Sequence, residues 1–144
     1  VVVLADAVQI QQVLMNLLSN ACDAMQDQPE NERRVWIRCG KAEPSEDPES
    51  FDSSEFFHVS AISNEQPTSY GRVEIIDNGP GIDPEHVRQL FDPFYTSKPH
   101  GMGIGLAICR DIIRSHRGSI SAESAADRGA CFWFTLPSKD GVTE

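Results

Sequence analysis

Basic residues are scarce in this chain of 144, where 12 Lys and Arg stand against 22 Asp and Glu for a formal net charge of -10. Such a surface repels nucleic-acid phosphates and anionic lipid, so DNA, RNA and direct membrane contact are not expected. No apolar run approaches the roughly 20 residues that cross a bilayer, and no basic segment followed by an apolar one marks a secretory leader. A soluble, cytoplasmic chain is the expectation. Cysteine occurs at Cys22, Cys39, Cys109 and Cys131, without a Cys-x-x-Cys pair or a nearby His partner. Neither a zinc site nor a disulfide framework follows, and the four read as reduced thiols. No internal repeat is visible. What is present is a length typical of one domain, with 40% apolar residues to fill a single core.

The opening Val1-Val2-Val3-Leu4 is β-prone and begins abruptly, as a strand cut from a longer protein would. Asp6 can cap a helix whose apolar positions, Ile10, Val13, Leu14, Leu17, Leu18, Ala21 and Met25, follow i, i+3, i+4 spacing, with Pro29 beyond its end. Val35 to Cys39 predicts a strand, Glu43 to about Ser54 a solvated loop, Phe56 to Ile62 another strand, and Val73 to Ile76 a third running into Asp77-Asn78-Gly79-Pro80-Gly81. A short helix is predicted over Pro84 to Leu90. The aromatic, proline-punctuated stretch from Phe91 to His100 leads into Gly101, Gly103 and Gly105, which open a helix that runs to about Ser115 and ends at Gly118. Ser119 to Glu123 and Cys131 to Leu136 predict a closing hairpin. The fold class is therefore α+β, a two-layer sandwich with helices on one face of an antiparallel or mixed sheet. Residues 1–138 form one domain with an insertion-like loop region at 43–71, and 139–144 form a tail.

Three groups of residues carry candidate chemistry. Asn16, Asn20 and Asp23 fall within roughly 60° of one another around the first helix. Asn is a poor helix former, so this face is either a polar side open to water or a hard oxygen site of the kind that Mg²⁺ shares with a nucleotide's phosphates. Asp77 ends a strand at a strong turn signal; a turn explains it, as does a carboxylate fixed to accept from an exocyclic amine such as adenine N6, with Gly79 and Gly81 letting backbone approach a flat ring. Phosphates could sit where Gly103 and Gly105 open their helix, because unpaired N–H groups and the helix dipole favour anions there. The glycine series lacks the Gly-Lys-Ser/Thr of a P-loop, has no further Gly at dinucleotide-fingerprint spacing, and follows no strand. The stretch before it reads as a mobile lid or as a surface loop anchored by Phe91 and Phe94.

Taken in order, Asn16-Leu17-Leu18-Ser19-Asn20-Ala21, Asp77-Asn78-Gly79-Pro80-Gly81-Ile82, Phe91-Asp92-Pro93-Phe94 and Gly101-Met102-Gly103-Ile104-Gly105-Leu106 resemble the N box, first G box, F box and second G box of sensor histidine kinases. The resemblance implies the Bergerat ATP-binding fold. Pro93-Phe94-Tyr95-Thr96-Ser97-Lys98-Pro99 is most similar to kinases with a PAS or periplasmic sensing domain. By this resemblance Asn20 would ligate Mg²⁺, Asn16 would support the phosphates, and Asp77 would take the adenine amine between Gly79 and Gly81. Gly101, Gly103 and Gly105 would shape the phosphate loop, with Lys98 or His100 reaching in from the lid. Asp23, Ile82, Phe91, Met102, Ile104 and Leu106 complete the expected ATP-contacting set, and Asn16, Asn20 and Lys98 the expected catalytic one.

In the ATP-hydrolysing relatives a Glu stands one turn before the metal-binding Asn, where this chain has Asn16. An amide is no general base near neutral pH, so the resemblance implies a site that delivers its γ-phosphate to a side chain and not to water. Family members phosphorylate a histidine followed by Asp or Glu, but Val, Val, Gly and Arg follow His58, His86, His100 and His116. The acceptor is therefore expected upstream, on a separate dimerisation domain, with a response regulator as the onward partner. The whole would be a bacterial sensor protein, either soluble or anchored in the inner membrane. Glu43 to Gly71 is longer than the usual connection in the family. A nucleotide-holding regulatory module, an ATPase of the gyrase and MutL kind and a serine kinase are the alternatives.

Overall fold

A computed structural model describes residues 1–43, 67, 69–96, 101–124 and 129–139. The expected strand Phe56 to Ile62, most of the 43–71 stretch, Lys98, His100 and the end of the tail lie outside the described residues.

Helix α1 spans Ala7–Ala24, and Asp6 caps it: its carboxylate accepts from the N–H groups of Val8 and Gln9, two of the donors that a helix start leaves unpaired. The apolar stripe turns Val13, Leu17 and Ala21 into the core. A 3-10 turn at Glu30–Glu32 leads to strand β1, Val35–Ala42, which pairs antiparallel with β2, Tyr70–Asp77. Both strands are longer than their apolar cores predict, because Ala42 still pairs with Tyr70 at the far end of the ladder.

Pro84–Phe91 is helical as expected but as a 3-10 helix, started by the Asp83 carboxylate accepting from Glu85 N–H. Helix α2, Gly105–Ser115, buries Ala107, Cys109, Ile112 and Ile113. The hairpin partners are β3, Ser119–Ser124, and β4, Ala130–Pro137. The sheet order is β1-β2-β4-β3, and every pairing among the described strands is antiparallel. Of the antiparallel or mixed sheet expected, the structure takes the antiparallel form.

The inner sheet face, with Ile75, Phe132 and Phe134, packs under both helices in one continuous core. Each fully buried large side chain, such as Phe134, Leu17 or Ile75, contributes about 1.5–3 kcal/mol. On the outer face the Arg72 guanidinium lies 4.2 Å from the Trp133 ring centroid and bonds to Glu74 at 2.9 Å. Cys131 sits on that face also, and burial together with Glu74 and Glu123 pushes its thiol up to about 11, which leaves it inert. All four cysteines are free.

One expectation is corrected. Val1 to Leu4 forms no strand, only a single antiparallel bridge between Val3 and Ser138. Continuing that ladder toward Leu4 would require Pro137, which has no N–H to donate. Leu4 accordingly stays 76% exposed.

Candidate nucleotide site

The topology gathers three chain segments at one end of the sheet. Because Ile76 pairs with Cys131 and Ser124 with Ala130, the end of β2, the end of β3 and the start of β4 lie side by side. Asp77, the last residue of β2, is only 2% exposed there. Its Oδ1 accepts from Gly79 N–H at 2.8 Å and from Ala130 N–H at 3.3 Å, and among the described residues no hydrogen bond engages Oδ2. Burial raises the Asp77 pKa above the ordinary 3.8, and the two backbone donors oppose that rise. A carboxylate held this way is rigid and presents one oxygen to a further donor.

The turn after Asp77 is stitched down on both sides. Asn78 Oδ1 accepts from Arg34 N–H at 2.8 Å, its Nδ2 donates to Glu32 O at 2.9 Å, and its carbonyl accepts from Gln28 Nε2 at 2.8 Å. Ser124 Oγ donates to Ile82 O at 2.8 Å and accepts from Ile82 N–H at 3.1 Å, which pins the turn's exit to β3. Gly79 packs on the end of α1, where a Cβ would stand 3.2 Å from Ala24 O. Gly81 faces Gly129 O, 3.1 Å from where its own Cβ would be. Gly129 has φ +90° and lies so close to Asp77 that a Cβ would fall 1.8 Å from the Asp77 carbonyl oxygen. Only glycine admits that approach, and it is what brings Ala130 N–H onto Asp77.

Helix α1 runs beside this end with Asn16, Asn20 and Asp23 half-buried on one face. Asn20 and Asp23 are each held by polar contacts. Asn16 Nδ2 donates to Gly105 O at 3.3 Å and to Cys109 Sγ at 3.6 Å, so the amide ties α1 to the first turn of α2. Burial pushes the Cys109 thiol up, and the Asn16 contact opposes it.

Gly103 reaches φ +69° directly against Phe94, whose carbonyl carbon would lie 2.6 Å from a Cβ there; Phe94 N–H donates to Gly103 O at 2.7 Å. Phe94 and the glycine loop are thus joined backbone to backbone. Ile104 caps α2 without a side-chain bond, leaving the first N–H groups of that helix to other acceptors. Gly101 and Met102 are exposed, while Ile82 and Leu106 pack partly against the core. Phe91 is 8% exposed and meets Phe132 edge-on with 6.4 Å between ring centroids, which places it in the core as a support beneath the site.

The structure therefore brings Asp77, Gly79 and Gly81 together at the sheet end and joins Asn16 to Gly105, with Asn20 and Asp23 further along the same helix face. Sequence reasoning missed Asn78, Ser124 and Gly129. Asn78 was hidden inside a turn signal, and a single Ser or Gly beside a strand carries no pattern of its own. For a cation, the donors on offer are the Asn20 carbonyl and the Asp23 carboxylate, hard oxygens suited to Mg²⁺. Among the described residues no cluster of three or more His, Cys, Asp or Glu makes a protein-only cage.

A buried carboxylate at a strand end, paired glycines beside it and a glycine-opened helix start across from an Asn face define an ATP-binding domain of the two-layer α+β kind. The chain belongs to the histidine kinase-, DNA gyrase B- and HSP90-like ATPase family, whose model matches residues 5–140, and it is an ATP-binding catalytic domain of the sensor histidine kinase type. It is 40% identical to the sensor protein FixL of Bradyrhizobium diazoefficiens over 96% of this chain and 22% of that protein. It is 35% identical to the C4-dicarboxylate transport sensor protein DctS of Rhodobacter capsulatus over 92% of this chain and 16% of that one. Among solved structures, the catalytic domain of histidine kinase ThkA superposes with a TM-score of 0.66 at 31% identity, covering 94% of this chain and 70% of that one. The chain thus spans about a fifth of the length of these sensor proteins. The expected likeness to sensor-linked kinases is borne out. Among the described residues no helix is long and apolar enough to cross a membrane.

Proposed function

We propose that this domain binds Mg²⁺-ATP and donates its γ-phosphoryl group to a histidine on a dimerisation domain outside this chain, from which a response regulator is then phosphorylated. In this reading Asp77 Oδ2 accepts from the adenine 6-amino group while Gly79 and Gly81 border the ring. The first N–H groups of α2 and the Gly101, Gly103 and Gly105 backbone receive the phosphates. Asn20, with Asp23 near it, holds the ion, and Lys98 meets the phosphates from the lid. When bound, Mg²⁺ neutralises charge on the phosphate oxygens and favours in-line transfer. The parent protein is a bacterial sensor that presents this domain to the cytoplasm.

The observation that carries transfer over hydrolysis is Asn16. At the place where ATP-hydrolysing relatives have Glu, this chain has an amide whose NH₂ is committed to Gly105 O and Cys109. It can neither take a proton from water nor swing out to do so without releasing α2. The isolated domain should therefore bind ATP but hydrolyse it slowly, at well under one turnover per minute on the order-of-magnitude scale of unassisted NTP sites. Rapid steady-state hydrolysis, abolished by Asn20→Ala, would overturn this reading in favour of an ATPase.

A further inference from the structure

The Asn16 bond ties α1 to the start of α2, and a second tie joins the opposite ends of the same helices. The backbone N–H of Asp6, the cap of α1, donates to Nε2 of His116, the cap of α2, at 3.0 Å across 110 residues of sequence. His116 Nδ1 lies 2.8 Å from Ile112 O and 3.3 Å from Ser115 Oγ. Because an N–H donates into Nε2, the ring proton sits on Nδ1 and is directed at the Ile112 carbonyl. The imidazole is thereby held on both edges, one by α2 and one by α1.

This contact is not required by either helix end alone. Gln9, at the third helical position, could in principle accept from the cap N–H of α1 as in a capping box, yet the acceptor comes from the other helix. The chain ahead of Asp6 is tied as well. Val2 O accepts from Lys139 N–H at 2.7 Å and from Ser138 Oγ at 3.4 Å, and Val3 bridges Ser138. The segment leading into α1 is thus fixed first to the end of β4 and then to His116. From Asp6 to Asn16 α1 rises about 15 Å, and α2, antiparallel to it, covers nearly the same length between His116 and Gly105. The other end of α2, a single helix, opens at the glycine loop.

We propose that His116 is a positioning residue that couples the segment leading into α1 to α2, and so sets how the nucleotide site as a whole is presented to the acceptor histidine. The proposal rests on the kinase reading above, in which the helical domain carrying the acceptor histidine is joined through that segment.

The test uses the longer protein that contains this domain and its helical hairpin, with labelled ATP. His116→Ala removes the acceptor. Independently, Asp6→Pro removes the donor at a φ of -72° that proline adopts, while Asp6→Ala loses the capping carboxylate and keeps the N–H. His116→Ala against wild type, and Asp6→Pro against Asp6→Ala, should each lower phosphohistidine formation about tenfold, with affinity for a non-hydrolysable ATP analogue changed by less than about twofold. A merely structural role would lower affinity and transfer together, and that result overturns the proposal. Wild-type transfer in His116→Ala overturns it too. No phosphohistidine from the wild-type protein would overturn the kinase reading and this coupling with it.

Discussion

Asp77→Asn separates an adenine acceptor from a plain turn. Both backbone donors, from Gly79 and Ala130, bond to Oδ1 in the native protein. An Asn of the same shape offers its carbonyl oxygen to the same two donors, so the turn survives, and places an NH₂ group where Oδ2 stood. A donor then faces the adenine 6-amino group. Losing one hydrogen bond to a charged acceptor costs about 1.5–3 kcal/mol, which weakens ATP about 10- to 150-fold. A 6-oxo purine gains what adenine loses, so GTP should bind the variant more tightly than it binds wild type. Calorimetric titration with both nucleotides reads this directly. Stability moves the other way. Burial raises the Asp77 pKa in the folded state above its ordinary 3.8, so the folded protein favours the protonated form and loses stability as pH rises through the native pKa. Asn never ionises. The melting temperature of Asp77→Asn relative to wild type should therefore increase with pH above about 3.8 and level off once native Asp77 is fully ionised. A variant that binds ATP as tightly as wild type and still rejects GTP would refute the adenine assignment.

Two further substitutions probe the support of the site. Ser124→Ala removes both bonds to Ile82 and should weaken ATP severalfold, with a stability loss of about 1–3 kcal/mol in a denaturant titration, because the turn after Asp77 loses its anchor on β3. Phe134→Ala opens a cavity in the centre of the core, and calorimetry should show a loss of about 3–5 kcal/mol, or roughly 10–17 °C in melting temperature.

The elements with a strong period were legible in the sequence. The apolar stripe and Asp6 fixed α1 to within a residue or two, and the apolar run from Cys131 to Leu136 marked β4 to within a residue at each end. The candidate site drew notice in the sequence wherever a residue type was costly in its local setting, as with Asn inside a helix or closely spaced glycines. What escaped was whatever depends on contacts between distant segments. Gly129 looks like any loop glycine until the register of β2 and β4 sets it against Asp77. Phe91 reads as a site aromatic from its motif, whereas packing on Phe132 makes it core. Val1 to Leu4 has strand composition but only one residue position at which the end of β4 can pair with it. A net charge of -10 repels polyanions at long range, which does not exclude a small anion met locally by N–H groups such as those at a helix start.

The central claim is phosphoryl transfer to a histidine in place of transfer to water. The direct measurement is to incubate the domain together with its own dimerisation hairpin and γ-labelled ATP, then follow label on protein against free phosphate. The account predicts acid-labile, base-stable label on a histidine of the hairpin, abolished by Asn20→Ala, with little free phosphate. Label appearing only as free phosphate, or as an acid-stable ester on Ser or Thr, would contradict it.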